Sequence, residues 1–168
     1  SNSIEYTTTA SQAVTARAKD ELKNFIRGRI STNVKQIVAS TFTSFSPFSL
    51  QEAFEFSSAV KRDGTLGETK NIEKLKTWKI NLTRDEIDQL FLEQIYPVCI
   101  SKGDEWFFTA IKVKEQIDEY LSFEIPTFEG LFEFIDITEE SHIERNTESN
   151  ITLTTVHKAK GRSFDIVI

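Results

Sequence analysis

One apolar stripe constrains the fold of this chain more than any other feature. Between Asp104 and Leu121, Trp106, Ala110, Val113, Ile117 and Leu121 recur at i, i+4, i+7, i+11 and i+15. At about 100° of turn per residue this spacing places all five on one face, which predicts a helix that buries that face. The same period runs from Thr9 to Arg29. There Val14, Ala18, Leu22, Phe25 and Ile26 line one side, Arg17, Lys19, Asp20, Glu21 and Lys23 cover the other, and Gly28 reads as the stop.

Between these helices the signals are mixed. Val34–Phe45, "VKQIVASTFTSF", is rich in β-branched and aromatic residues and predicts a strand leading into a turn at Ser46-Pro47. Leu50–Val60 predicts a short helix, and Lys61–Lys70, with two glycines and mixed charge, a loop. Thr83 followed by Glu86 has the form of a capping box, in which each side chain satisfies the other's free amide. Behind it Ile87, Leu90, Phe91, Gln94 and Ile95 predict a helix that Pro97 ends. Pro126-Thr127 opens a third short helix, "FEGLFEFIDI", and the acidic residues from Glu129 to Glu148 read as a solvated helix face followed by a polar linker.

The 168-residue chain fits one domain, or one domain with a fragment of another. A chain of this length buries roughly two-thirds of its unfolded surface, so it needs no covalent staples. Cys99 is the sole cysteine, which excludes an internal disulfide and points to a reducing, cytoplasmic setting. One Cys and two distant His residues cannot assemble a zinc site of the usual type. No apolar run approaches the ~18 residues that span a bilayer, so no membrane partner is expected. A net charge of −6 excludes a surface coated in base, though not a local basic patch. Ser1 to Ser3 reads as the remnant of a cleaved tag, and a chain without methionine as a piece of something longer. The expected architecture is mainly α with a small β part. A helical domain occupies 4–136, an acidic linker 137–150, and a strand–loop–strand 151–168.

That last segment, "ITLTTVHKAKGRSFDIVI", carries the chemistry. In an extended "ITLTTVH" the residues Ile151, Leu153, Thr155 and His157 share one face, apolar first and polar last. Such a strand leaves a core and delivers its carboxyl end to a surface, where open α/β sheets bind ligands. Lys158, Lys160, Gly161 and Arg162 then form a turn rich in base and exposed amides, which suits phosphate. A solvated basic hairpin has the same composition, and composition alone does not separate the two.

Thr155-Val156-His157-Lys158-Ala159-Lys160-Gly161, followed by Phe164 and an apolar strand, resembles motif V of the UvrD/Rep-type superfamily 1 DNA helicases. There the pattern is a strand, T-[IVL]-H-x-[SA]-K-G-L-E-[FY], and a second strand. The resemblance implies that 151–168 belongs to a RecA-like motor domain. It implies that Thr155 and His157 lie along single-stranded DNA, and that Lys160, Gly161 and the residue at Ser163 face the nucleotide. ATP and Mg are the implied cofactors, and single-stranded DNA the implied partner. The helical region before it resembles the insertion, subdomain 2B, that interrupts this motor domain and returns into motif V.

Two positions depart from the pattern: Arg162 stands where Leu is usual, and Ser163 where the family has a Glu that reaches the nucleotide sugar. A serine hydroxyl is shorter and uncharged, which puts the sugar contact in doubt. "STFTSF", Ser40 to Phe45, is similar to the family's T-F-H-S-F motif Ib with Thr43 in place of His. No D-E-x-x-D stretch follows it, however, and no G-x-x-x-x-G-K-[ST] is present. This chain alone is therefore expected to be inactive, and the protein containing it to hydrolyse ATP. A helicase–nuclease of the AddA/RecB kind and a catalytically empty helical binding module are the alternative readings.

Overall fold

The computed structural model describes residues 2–123 and 125–144, with side chains over 11–123 and 125–138. The described chain is mainly helical. α1 (Asn2–Ile30), α2 (Val34–Ser40), α3 (Leu50–Ala59), α4 (Ile72–Lys76) and α5 (Arg84–Leu90) lead into a π-helical segment, Phe91–Ile95, then α6 (Tyr96–Lys102), α7 (Asp104–Tyr120) and α8 (Phe128–Glu144). Among the described residues extended pairing is confined to an isolated antiparallel bridge between Val60 and Leu66, at the base of the expected loop. The strands expected within 151–168 lie outside the described residues. No described helix is long and apolar enough to cross a membrane.

α1 packs against both α2 and α7, α7 against α6 and α8, and α2 against α3. The predicted faces of the two long helices are the ones buried. Ala18, Leu22, Phe25 and Ile26 of α1, and Trp106, Ala110, Val113 and Ile117 of α7, belong to one core with Phe91, Ile95, Leu131 and Ile135. Val14, expected on that face, is exposed. The core is joined by aromatic contacts: Phe25 lies 5.3 Å from Phe45 and 5.6 Å from Trp78, and Phe48 lies 5.0 Å from Trp78 and 5.2 Å from Phe56. Each fully buried ring contributes about 1.5–3 kcal/mol.

The strand expected over Val34–Phe45 is instead helix α2 followed by turns. Asn33 caps α2, its side chain accepting from Lys35 N–H at 2.9 Å. Val34, Ile37 and Val38 then fall at i, i+3 and i+4, so they face one side of a helix, and that side packs on the core. The Thr41 and Thr43 hydroxyls donate back to the carbonyls of Val38 and Ser40, closing the turns, and Phe45 is buried. β-branched composition favours a strand only weakly, and tertiary packing overrides it. The motif Ib-like string thus forms the end of α2 and a core-facing turn.

Gly28 is not a stop. α1 runs through it to Ile30, and its missing side chain makes room for α2: a Cβ there would sit 2.1 Å from Ser40 Cβ and 2.7 Å from the Gln36 carbonyl oxygen. Ser40 is fully buried in this contact, donates to the Ile37 carbonyl and accepts from Trp78 Nε1 at 2.9 Å.

Pro97 does not end its helix either. The N–H of Tyr96 bonds to the Phe91 carbonyl in an i→i−5 pattern, and Pro97 follows in the first turn of α6. Proline lacks a donor and its ring crowds the preceding turn. A wider π turn at that place accommodates both. The break comes at Gly103, whose φ of 116° is open to glycine but strained for other residues.

The Thr83 cap is half a box. Thr83 Oγ1 accepts from Glu86 N–H at 3.4 Å, but the Glu86 carboxylate takes both Asn81 N–H and Nδ2–H instead. The reciprocal box forms at Ser49 and Glu52, before α3. α8 starts after a Tyr120–Thr127 clasp, in which the phenol accepts from Thr127 N–H at 2.8 Å and donates to its carbonyl oxygen. It continues to Glu144, so positions 137–144 of the acidic stretch are helical.

Two expected outcomes follow from these contacts. Gly28→Ala forces Ser40 away from α1 and lowers unfolding free energy by about 1–3 kcal/mol, as overpacking does; urea titration measures it, and an unchanged midpoint would remove the contact's importance. Hydrogen bonds from the Ser49 backbone and hydroxyl and from Lys74 hold the Glu52 carboxyl below its ordinary 4.5. Its contribution is therefore present above about pH 4.5 and lost as pH falls through the lower folded value. Wild type exceeds Glu52→Gln in urea midpoint at about pH 7, and the gap narrows as pH falls below about 4.5; a gap independent of pH would refute this account of the cap.

Candidate functional site

Thr155, His157, Lys160, Gly161 and Ser163, the residues that the sequence nominates, all lie outside the described residues. What the described body presents is a set of polar centres, each to be read for what it can do.

Arg29, in the last turn of α1 and 6% exposed, is a buried cation. Its guanidinium carbon stands 4.2 Å from the centroid of Trp78 and 5.6 Å from that of Phe25. Nη1 donates to Gln94 Oε1 at 2.5 Å, the Arg29 carbonyl accepts from Ile80 N–H at 2.7 Å, and Nε is buried with no hydrogen-bond partner. Among the described residues no carboxylate pairs with this cation. Burial pulls its pKa down to about 10, so it remains charged at neutral pH. A cation held by ring faces and an amide is a clamp between α1, the π segment and the Trp78 region. Its charge is fixed, and it does not exchange protons.

Two lysines serve as struts. Lys102 Nζ lies 3.9 Å above Trp106, bonds to Ser44 Oγ at 2.7 Å and stands 3.8 Å from Glu21. Lys114 Nζ reaches Asp88 at 2.6 Å and Asp118 at 2.7 Å. Burial disfavours the Lys114 charge, but its bonds to Asp118 and Asp88 outweigh that and raise its pKa, so it is not a base. Cys99, within α6, is buried, and desolvation pushes its thiol up to about 11. It is a neutral core residue at physiological pH rather than a nucleophile.

Two surface features are open to ligands. Phe42 and Phe54 meet edge to face at 5.3 Å, both exposed, beside a cleft lined by Gln51, Phe54, Glu55, Glu68 and Lys70. A second cleft lies where the α1–α2 turn faces the 61–65 loop, and Thr32, Asn33, Val34, Lys35, Arg62, Asp63 and Gly64 line it. Asp63 is exposed and accepts from Thr65 N–H at 2.9 Å and Thr65 Oγ1 at 2.7 Å. Lys35 and Arg62 are exposed, and their side chains have no ion-pair partner among the described residues.

No family model, curated protein or solved structure matches this chain. Sequence reading passed over Arg29, Lys35 and Arg62. The first carries no local signal. The other two are visible as charges but acquire meaning only when the α1–α2 turn and the loop come together.

Arg29 gives a clean separation of packing from charge. Arg29→Ala loses both the ring contacts and the side-chain stem and costs about 2–4 kcal/mol, whereas Arg29→Met restores the volume and recovers most of it. Chemical denaturation of both variants decides the point, since equal losses would make the charge, and not the packing, the essential part.

Proposed function

We propose that this chain is part of an ATP-dependent DNA helicase of the UvrD/Rep type, comprising a helical insertion and the motif V strands to which it returns. The observation that carries the reading is the run Thr155-Val156-His157-Lys158-Ala159-Lys160-Gly161 with Phe164, in which six specified pattern positions and the aromatic recur in register. A mainly helical body directly before it supports the reading. Residues 151–168 are then a strand–loop–strand of a RecA-like domain, and 4–136 belongs to the insertion.

In this reading Lys160 presents a compact ammonium to nucleotide phosphate, and Gly161 lets the backbone approach closely. Thr155 and a neutral His157 hydrogen-bond the sugar–phosphate backbone of single-stranded DNA, positioning it without reading its sequence. The chain has no glycine-rich phosphate loop, so its residues do not by themselves hold a triphosphate with Mg. Bound ATP would supply the energy of phosphoryl transfer, and the remainder of the protein the groups that grip it. Ser163 in place of the family's Glu leaves the nucleotide sugar with a shorter, uncharged partner.

The test is single-strand-stimulated ATP hydrolysis by the whole protein containing this chain, wild type against Lys160→Ala. The expected result is a loss of at least about tenfold, about 1.4 kcal/mol of barrier, with the fold intact by circular dichroism. Hydrolysis that survives the substitution would remove Lys160 from the nucleotide. Absence of hydrolysis from the wild type would overturn the helicase reading.

A further inference from the structure

Apolar side chains gather on the outside of the packed pair α6 and α7. Leu92, Ile100 and Phe108 are 70%, 63% and 59% exposed, so the described fold leaves most of their surface unused. Half-buried neighbours join them into one strip. Tyr96 comes four residues after Leu92 and four before Ile100 in the continuous helical run 84–102, so all three share a side of it. Tyr96 meets Phe107 edge to face at 5.7 Å, and Phe107 stands 6.3 Å from Phe108. Ile111 extends the strip one turn further along α7. Tyr96 and Phe107 also pack on the core, which gives the strip a fixed floor. Apolar surface continuous over two helices marks an interaction site, as scattered exposed residues do not.

The margins of the strip are mostly acidic. Glu93 follows Leu92, and Asp104, Glu105 and Lys112 each lie one turn from Phe108; all four are exposed. Lys114 adds no free base, since Asp88 and Asp118 share it. Positions 81–144 as a whole hold four Lys and Arg against sixteen Asp and Glu, so the field over this part of the body is negative. From this arrangement we propose that the α6–α7 face docks an amphipathic helix of a partner protein. The partner's aliphatic or aromatic anchors cover the strip, and Lys or Arg at its edges meet Glu93, Asp104 and Glu105. A second copy of this chain fits less well, because two-fold pairing sets one acidic margin against another. The other exposed apolar group, Phe42, Leu50 and Phe54, selects no occupant, because the cleft beside it holds Glu55, Glu68 and Lys70 together.

The experiment is fluorescence anisotropy of a labelled model peptide, a helix with leucines on one face and lysines on the other, titrated with the 168-residue chain. Saturable binding is expected, and Ile100→Gln/Phe108→Gln should weaken it at least about tenfold, as loss of central anchors does. Leu92→Gln reads the other end of the strip independently and should weaken binding as well. Leu50→Gln/Phe54→Gln removes comparable apolar surface from α3 and should leave affinity unchanged. All these residues are exposed, so thermal midpoints stay put and binding is read on folded protein. A peptide of the same composition with its leucines scattered round the helix should bind at least about tenfold more weakly. No binding by wild type would overturn the docking face, as would equal binding by the Ile100/Phe108 variant or of the scattered peptide. Equal binding of a peptide with glutamates in place of lysines would overturn the basic partner. Two results would overturn the choice of occupant: self-association in sedimentation that Ile100→Gln/Phe108→Gln abolishes, which gives the face to a second copy, and displacement of the model peptide by a synthetic 151–168 peptide, which gives it to this chain's own basic segment. None of these measurements involves Lys160, DNA or ATP, so failure here is distinguishable from failure of the helicase reading.

Discussion

The approach of α2 to α1 at Gly28 is the contact on which the rest of the described fold depends. Only a hydrogen atom at Gly28 lets Ser40 enter the surface of α1, and Ser40, once there, accepts the indole N–H of Trp78. Trp78 in turn is packed against Phe25 and Phe48 and carries Arg29 on its face. Three segments distant in sequence are thereby fixed by one small residue and one hydroxyl. Protein interiors are packed densely enough that a single methyl group at such a point propagates through its neighbours.

The polar centres share a design. Arg29, Lys102 and Lys114 are each seated on an aromatic ring and held by oxygen acceptors, and they bridge helices rather than face solvent. Ring faces replace part of the hydration a cation loses on burial, which allows base to be used inside a body rich in phenylalanine.

Helical period was legible where helices are long. α7 needed no tertiary information, since five apolar positions on one face leave little choice. α2 was not legible, because Val34, Ile37 and Val38 satisfy a strand's composition and a helix's period together, and Asn33 with Gly28 decides between them. Gly28 and Pro97 were read as terminators because glycine and proline are usually that. Close packing explains the first and an i→i−5 hydrogen bond the second, and both are properties of neighbours that local sequence does not display. The nominated residues from Thr155 to Ser163 were legible as a motif alone, while the cleft at Lys35 and Arg62 was invisible until chain segments nearly thirty positions apart met.

The π segment has a consequence for how this chain tolerates changes in length. Ile87, Phe91, Ile95 and Cys99 are four residues apart, and all are fully buried. In a regular helix each such step drifts by about 40°, so the set would wind off the core. The wide turn at Phe91–Ile95 takes up that drift by holding one residue more than an α turn does. Leu92 and Glu93, both exposed, occupy its outer side. The segment is a splice point: a chain one residue shorter here would close into ordinary α-helix with its flanks still aligned, whereas the same deletion inside α7 would rotate everything beyond it by about 100°.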